Sequence, residues 1–351
     1  MAPLRIGSLC SGYRGLDMAV EAVFGGSTAW VSDIDAGASK ILAHHWPGTP
    51  NLGDLTAVRW EDVEPVDILC GGYPCQPFSS AGLRKGTDDE RHIWPYIADA
   101  LRVLRPRVAV FENVANHLRL GFDTVLADLA RIGFDAEWCL VRASEVGAPH
   151  PRQRLFILAT AQDAYGEPGD QRGVAASGQA EGGRSRADAG GRGGAPSADA
   201  DSCGLARHPE RDGGPEDGQS ERTPRVDADG RCIQRPVDAD PHRIGRQPAE
   251  HDVWEGQSDA SWGRFLPAVR RWEHASGRTA PRATDDRNRL SPAFVEWMMG
   301  LPAGHVTKVP GLTRAEQLKA LGNGVVPQQA AAALQLLHAR AIGNAEFSTA
   351  A

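Results

Sequence analysis

The sequence predicts an α/β protein with a doubly wound, mostly parallel sheet and a smaller second domain, on the strength of three observations. Residues 4–160 alternate short apolar runs with segments of helical periodicity, as chains built from βαβ units do. Apolar residues make up 41% of the 351 positions, which is enough for a substantial core. Residues 161–260 contain 17 glycines and no lysine, so the main domain is expected to be interrupted there.

Short apolar runs in the first domain are predicted to be strands. These runs are Leu4–Leu9, Ala29–Ser32, Val66–Cys70, Val108–Glu112, Glu137–Val141 and Leu155–Ala159. Helical periodicity predicts helices over Leu16–Phe24, Ala36–Ala43, Trp94–Leu104 and Phe122–Ile132, and a last helix from about Pro327 to Ile342. Because doubly wound sheets bind ligands at the carboxyl ends of their strands, we expect the functional site at that edge.

Composition excludes several classes of protein. There is no apolar run of the roughly 18 residues that a membrane span needs, and no signal-peptide pattern. The six cysteines show no zinc-binding spacing, so we expect no metal site and a reduced, cytoplasmic setting. We interpret His44-His45 as a solvated helix end. The net charge of −7 still allows a basic cleft, and the 34 arginines suit phosphate contacts or simply reflect genomic composition.

A stiff loop with a central cysteine follows the third predicted strand. Its sequence is Gly71-Gly72-Tyr73-Pro74-Cys75-Gln76-Pro77. The two prolines hold the thiol in a defined place, which suits a nucleophile whose proton another group removes. A buried structural cysteine would fit the same pattern, and the loop alone leaves both interpretations open.

Six motifs, this loop among them, resemble those of the cytosine-C5 DNA methyltransferases and occur in the order of that family. The other five are Ser8-Leu9-Cys10-Ser11-Gly12-Tyr13-Arg14-Gly15, Phe111-Glu112-Asn113-Val114, His150-Pro151-Arg152-Gln153-Arg154, Leu290-Ser291-Pro292 with Glu296-Trp297-Met298-Met299-Gly300-Leu301-Pro302, and Gly322-Asn323-Gly324-Val325-Val326-Pro327. They cover about residues 4–160 and 262–340. Six matches in the family's order make coincidence an unsatisfactory explanation.

The resemblance implies catalytic residues. Cys75 would add to C6 of a cytosine that has been rotated out of double-stranded DNA. Glu112 would hold the N3 proton and the exocyclic amine, and Asn113 would position the loop. Arg152 and Arg154 would belong to the same site, with Arg154 at the cytosine O2. Without the resemblance, Glu112 would be an exposed carboxylate that follows a strand.

The resemblance also implies S-adenosylmethionine as the methyl donor. Gly12 and Gly15 would let the backbone approach it, Asp33 would bind the ribose hydroxyls, and Asp54 would contact the adenine amine. We interpret Asp35 as a helix N-cap. A glycine loop also suits NAD, but the spacing is not GxGxxG. The expected cofactor residues are Cys10, Gly12, Gly15, Asp33, Asp54, Pro74 and Asn323.

Two residues depart from the family pattern in the first motif. Cys10 stands where the family usually has Phe, and Arg14 stands where it usually has Gly. Loss of the aromatic ring is expected to weaken stacking against adenine. Arg14 is expected either to require ordinary backbone angles or to project over the cofactor, so that its replacement by Gly would tighten binding.

We expect four regions along the chain. Residues 1–160 form the catalytic and cofactor-binding domain, and residues 161–250 are a flexible insert rich in Gly, Arg and Asp. Residues 251–290 form the target-recognition region, and residues 291–345 return to the catalytic domain. Four aromatic residues are expected to give the recognition region a small core: Trp254, Trp262, Phe265 and Trp272. Alternatively, the insert itself folds on DNA and reads the target.

The function expected from the resemblance is DNA cytosine-C5 methylation by a monomer. It would belong to a restriction-modification system, with a cognate restriction endonuclease as functional partner, or to a solitary phage or host methylase. Two alternatives stay open at this point. One is the same chemistry on RNA, and the other is a DNA-binding protein with weakened catalysis.

Overall fold

The computed structural model describes residues 3–74, 93–162 and 259–349. The described residues all belong to one compact unit, formed by residues 1–166 and 236–351. Cys75, Trp254 and nearly all of the insert lie outside the described residues, so the structure does not test those expectations.

A six-stranded sheet forms the centre of the described structure. Its strands are β1 (Arg5–Leu9), β2 (Ser27–Ser32), β3 (Ile68–Gly71), β4 (Val108–Val114), β5 (Phe134–Arg142) and β6 (Gln153–Ala161), in the spatial order β2-β1-β3-β4-β6-β5. The β1–β2, β1–β3 and β3–β4 pairs are parallel, whereas β6 is antiparallel to both neighbours. All six predicted strands are confirmed. The last two extend past their apolar runs because their ladder continues through half-buried residues.

Helices connect and cover these strands. They are α1 (Gly15–Phe24), α2 (Ala36–His45), α3 (Trp94–Leu104), α4 (Phe122–Ile132), α5 (Asp259–Trp262), α6 (Leu266–Ser276), α7 (Pro292–Met298), α8 (Arg314–Asn323) and α9 (Pro327–Thr349). The five predicted helices are confirmed, and α9 extends beyond the predicted end at Ile342. Asp35 caps α2 as predicted, because its side chain accepts hydrogen bonds from the backbone N–H groups of Gly37 and Ala38.

Two apolar clusters cover the two faces of the sheet. On one face, Phe111 of β4 packs with Trp94 and Leu101 of α3. On the other face, Val110 packs with helices α1 and α9 through residues such as Val20 and Leu334. The alternation of neighbouring residues between faces is what a strand with helices on both sides requires. The doubly wound architecture is thereby confirmed.

A third cluster corrects the expected core of the recognition region. Trp262 and Trp272 are buried together with Trp297 and with Tyr13 of the first glycine motif. Phe265, in contrast, is 59% exposed. The expectation of a separate small core from these aromatic residues is therefore wrong, because their partners come from distant parts of the chain that the composition of 251–290 does not show.

The interpretation of His44-His45 as a solvated helix end also needs correction. His44 is exposed, but the His45 ring stacks on His305, and His45 Nε2 donates to the His305 carbonyl oxygen at 2.7 Å. No group of three potential metal ligands occurs among the described residues. Within the same ranges, no helix has the length and apolar character to cross a membrane.

Candidate active site

The parallel register brings three sequence motifs to one edge of the sheet. Leu9 of β1 and Phe111 of β4 both pair with Gly71 of β3. The next residue along each strand is therefore at the same carboxyl edge: Cys10, Gly72 and Glu112. The first glycine motif, the start of the cysteine loop and the predicted catalytic carboxylate thus lie side by side, as the sequence predicted. Pro74, the last described residue before Cys75, is exposed.

The first glycine motif forms a tight bend between β1 and α1, which we call the glycine loop (residues 10–15). Cys10, Gly12 and Arg14 have φ angles of 51°, 55° and 67°. Two hydrogen bonds attach the loop to the end of β2: Cys10 N–H donates to the Ser32 carbonyl, and Gly12 N–H donates to Asp33 Oδ2, both at 2.8 Å. Burial and the charge of Asp33 raise the pKa of the Cys10 thiol to about 12, so this thiol is protonated at neutral pH.

Both expectations for Arg14 are wrong. Its backbone is left-handed, and its side chain is only 2% exposed. The guanidinium lies beneath the glycine loop, where Nε contacts Asp17 Oδ1 at 3.1 Å and Nη2 contacts Glu21 Oε1 at 2.6 Å. It also lies 4.2 Å from the centre of the Trp46 ring. Arg14 therefore does not adopt ordinary backbone angles. It also does not project over the side of the loop where Gly12 and Asp33 lie, which we call the front of the loop.

The front of the glycine loop has the features of an adenosine-type site. A Cβ added at Gly12 or at Gly53 would meet no atom within 4 Å, so the backbone is open there. Asp33 is partly exposed beside Gly12, and burial raises the pKa of its carboxyl. Asp54 is exposed, and its carboxylate is oriented by Thr56. Open backbone and two carboxylates match the hydroxyl and amine donors of a nucleoside, so these residues fit S-adenosylmethionine.

Glu112 is a buried carboxylate with an arginine partner. It is 7% exposed, and Arg154 Nε contacts its Oε1 at 2.8 Å. Burial raises the pKa of Glu112, while the charges of Arg154 and Arg152 lower it. A Cβ at Gly72 would lie only 3.3 Å from Glu112 Oε2, so the second oxygen faces the start of the cysteine loop. The alternative of an exposed carboxylate is wrong. The neighbouring Asn113 directs its Oδ1 to the Val114 N–H at 2.8 Å.

Arg152 contacts the last motif. Its Nη2 donates to the carbonyl oxygens of Gly322 and Gly324 at 2.9 and 2.6 Å. Gln329 holds Arg152 from the other side by donating to its carbonyl oxygen at 2.8 Å. Asn323 lies between the two accepting residues at the end of α8 and is exposed. The structure thus joins Arg152 to Asn323's loop and pairs Arg154 with Glu112.

Tyr13 attaches this last motif to the glycine loop. Its hydroxyl donates to the Val325 carbonyl at 2.7 Å. A Cβ at Gly324 would collide with the Tyr13 ring, and one at Gly15 would collide with the Val325 carbonyl. Gly15 therefore allows close packing between two loops. The space beside its Cα is filled by Val325 and Tyr13 and is not open to a cofactor. The glycines were visible in the sequence, but their partner was not.

Sequence reasoning missed two further sets of contacts that organise the site. Glu296 is buried and accepts four hydrogen bonds, from Gly304 N–H, Val306 N–H and both donors of Thr307. It therefore fixes the turn that carries His305. A buried acid within an apolar motif was the available signal.

Tyr73 and His117 form the other missed contact, next to the cysteine loop. His117 Nδ1 lies 2.8 Å from the Leu120 carbonyl and must donate to it, so in the neutral ring Nε2 accepts the Tyr73 hydroxyl at 2.7 Å. This hydrogen bond ties the residue before Pro74 to the segment that follows Glu112 and Asn113. Neither residue type signals such a pairing in the sequence.

Comparisons with known proteins agree with this geometry. The sequence model for C-5 cytosine-specific DNA methylase matches residues 4–175. The type II methyltransferase M.HgiBI of Herpetosiphon aurantiacus is 31% identical over 170 residues, covering 46% of this chain and 38% of that protein. The DNA N-6-adenine-methyltransferase of Escherichia phage P1 is 39% identical over 147 residues, covering 37% of this chain but 19% of the phage protein.

The solved structure of the S. pombe Dnmt2 methyltransferase has a TM-score of 0.54 and 14% identity, covering 95% of this chain and 98% of that one. This likeness supports the methyltransferase fold. The chain spans about two fifths or less of the length of these two curated relatives. Residues 4–175, slightly less than half of the chain, are thus similar to the C-5 cytosine-specific DNA methylase family.

Proposed function

We propose that the protein methylates cytosine at C5 in double-stranded DNA, with S-adenosylmethionine as methyl donor and Cys75 as nucleophile. The observation that carries the proposal is the Glu112–Arg154 pair. It is buried at the edge of the sheet, with one carboxylate oxygen facing Gly72, and it lies beside a glycine loop that fits the donor.

The reaction has to activate a carbon that is a poor nucleophile. The Cys75 thiolate forms a bond to C6, and the electrons of the C5–C6 double bond become available at C5. S-adenosylmethionine supplies an electrophilic methyl group bound to a positively charged sulfur. After C5 has gained the methyl group, it loses its proton to solvent and the electrons of that C–H bond re-form the C5–C6 double bond. The bond between C6 and sulfur breaks at the same time, and its electron pair returns to Cys75 as thiolate. The nucleophile is thereby regenerated.

Glu112 and Arg154 would stabilise the charge that develops on the ring. Because burial raises the pKa of Glu112, its carboxyl can hold the proton at N3 when a cytosine approaches Oε2. Arg154 already contacts the other oxygen, and its guanidinium would bind O2 of the same ring. Asn113 keeps its proposed role in positioning. Arg152 would act on the Asn323 loop, which we propose closes the cofactor site.

On the cofactor side, Asp33 would bind the ribose hydroxyls and Asp54 the adenine amine. Gly12 leaves room for the donor, and Cys10 and Pro74 would line it. Cys10 offers less stacking surface than an aromatic ring would. The buried position of Arg14 removes the obstacle that the sequence suggested, which argues against a DNA-binding protein with weakened catalysis.

Target recognition by residues 251–290 remains a prediction, as do base flipping, a monomeric state, a cytoplasmic setting and a restriction endonuclease partner. Deletion of residues 165–250 tests whether the insert or the recognition region determines the target sequence. The methylated sequence should stay unchanged, as read by bisulfite sequencing. An altered target would make the insert the element that reads DNA.

The decisive experiment for the proposed function is bisulfite sequencing of DNA from a host that expresses the full chain. We expect one short sequence to be methylated throughout, and the Cys75→Ala variant to leave it unmethylated. In parallel, incubation with labelled methyl donor and either DNA or RNA identifies the polymer. Label only in RNA, or full methylation by the variant, would overturn the proposal.

A further inference from the structure

Arg14 places a positive charge beneath the glycine loop in a backbone conformation that glycine adopts more easily. Its φ and ψ angles are 67° and 29°. A left-handed conformation costs an L-residue free energy that glycine does not lose. The side chain therefore has to make contacts that compensate for this strain, and the structure shows what they connect.

On one side, Arg14 joins three elements around the glycine loop. Asp17 and Glu21 lie three and seven residues later, on the same face of α1, and both accept from the guanidinium. The guanidinium also contacts Thr28 Oγ1 of β2 and covers the Trp46 ring just after α2. Arg14 thus connects the helix that begins at the glycine loop with the strand that ends just before Asp33.

On the other side, a polar path leads from Asp17 to the front of the loop. The Asp17 carboxylate accepts a hydrogen bond from the Ser8 side chain. Because the Ser8 hydrogen is directed to Asp17, Ser11 Oγ donates to Ser8 Oγ at 2.8 Å, with the Ser8 carbonyl oxygen as a second, longer acceptor at 3.2 Å. Ser11 immediately precedes Gly12, whose N–H holds the Asp33 carboxylate. Each hydroxyl hydrogen on the path has an acceptor.

We propose that Arg14 is a positioning residue for the methyl donor: through Asp17, Ser8 and Ser11 it holds the Gly12 peptide and Asp33 in their binding arrangement. This inference rests on the proposed function. A site that is already ordered loses less free energy on binding, so the network contributes to cofactor affinity. Because the network acts on the glycine loop, the methyl-transfer step itself is not expected to depend on it.

The test compares Arg14→Gly with Arg105→Gly. Arg105 is also left-handed, with φ 45° and ψ 55°, but it is exposed at the end of α3. Both changes remove an arginine and relieve the same kind of backbone strain, and only the first removes the buried contacts. Calorimetry with S-adenosylmethionine should show Kd rising by about tenfold or more in Arg14→Gly and unchanged in Arg105→Gly. At saturating donor, kcat should fall much less than Kd rises.

Ser8→Ala provides a second variant if Arg14→Gly does not fold. It interrupts the path between Asp17 and Ser11 without leaving Asp17 unpaired, and it should weaken donor binding several-fold. In Arg14→Gly/Asp17→Asn, which removes the unpaired charge, donor affinity should recover in part.

Donor affinity equal to or higher than wild type in Ser8→Ala and in every folded Arg14 variant would overturn the inference and leave the proposed function intact. A wild-type protein that binds the donor but methylates no nucleic acid would contradict the proposed function alone. A wild-type protein that does not bind the donor would remove both.

Discussion

Two buried arginine–carboxylate pairs lie at the same edge of the sheet, and they differ in what surrounds the carboxylate. In the Arg14–Asp17 pair the side chains are 2% and 3% exposed, and Asp17 is also held by Ser8. In the Arg154–Glu112 pair they are 20% and 9% exposed, and Glu112 Oε2 faces Gly72. The enclosed pair is suited to hold a loop, whereas the pair with an accessible oxygen is suited to receive a substrate.

Glu112→Gln tests this difference on the substrate side. The amide keeps the size of the side chain but cannot hold a transferable proton, so we expect methyl transfer to slow by about 10²–10⁴-fold. Single-turnover measurements with saturating donor and DNA isolate this step. Cofactor affinity, measured by calorimetry, should stay near that of the wild type, because the glycine loop is unchanged. An unchanged single-turnover rate would make Glu112 a structural residue like Asp17.

Asp17→Ala tests the enclosed pair. It leaves a buried guanidinium with only Glu21 as carboxylate partner, so unfolding by urea should show a loss of about 3 kcal/mol, at the lower end for a broken buried pair. A loss below about 1 kcal/mol would mean that the pair contributes little to the fold. The folded fraction should still methylate DNA when the donor is saturating, in contrast to Glu112→Gln.

These two pairs also show how much of the structure could be predicted from the sequence. Asp17 and Glu21 follow Arg14 at the spacing of one helix face, so the sequence contained a signal for the Arg14 network that the family comparison obscured. The strands and the N-cap at Asp35 were predictable because local patterns determine them. The contacts of Arg152 with Gly322 and Gly324 were not, because about 170 residues separate the partners and carbonyl acceptors leave no trace in side-chain types.

The pH dependence of stability tests Glu112, on the substrate side, in a second way, and the expected effect is smaller. Burial raises the pKa of Glu112, so the folded protein retains this proton to higher pH than the unfolded chain does. The wild type should therefore lose stability, relative to Glu112→Gln, as pH rises through the raised pKa. Below the ordinary carboxyl pKa of about 4.3 the difference should be constant. Thermal unfolding of both proteins measures this difference in stability. The pH series should run from about pH 4 to pH 8, which roughly spans the ordinary carboxyl and histidine pKa values.

Asp285 is a control of opposite sign. The Arg289 N–H and guanidinium lower the pKa of its carboxyl to about 2. Any contribution of this group is present above the ordinary carboxyl pKa and is lost as pH falls towards 2, so Asp285→Asn should differ from the wild type most at neutral pH and least in acid. Parallel curves for both variants would mean that a global effect dominates and that Glu112 carries no specific shift.

The smallest effect is expected at an arginine that has carboxylate partners but no burial. Arg270 of α6 pairs with Glu273 at 2.7 Å and also contacts Asp259 of α5, and its own side chain is 55% exposed. Water and salt screen such pairs, so Arg270→Gln should leave the midpoint of urea unfolding and the donor affinity unchanged within error. If this variant were as destabilised as Asp17→Ala, the contribution of ion pairs to the free energy of unfolding would depend on their number rather than on their burial. Asp17 and Arg270 both belong to arginine–carboxylate pairs with an i,i+3 contact, and the two pairs differ in burial. Unchanged stability and donor affinity in Arg270→Gln would therefore support the assignment of the enclosed pair, Arg14–Asp17, as the one that holds the loop.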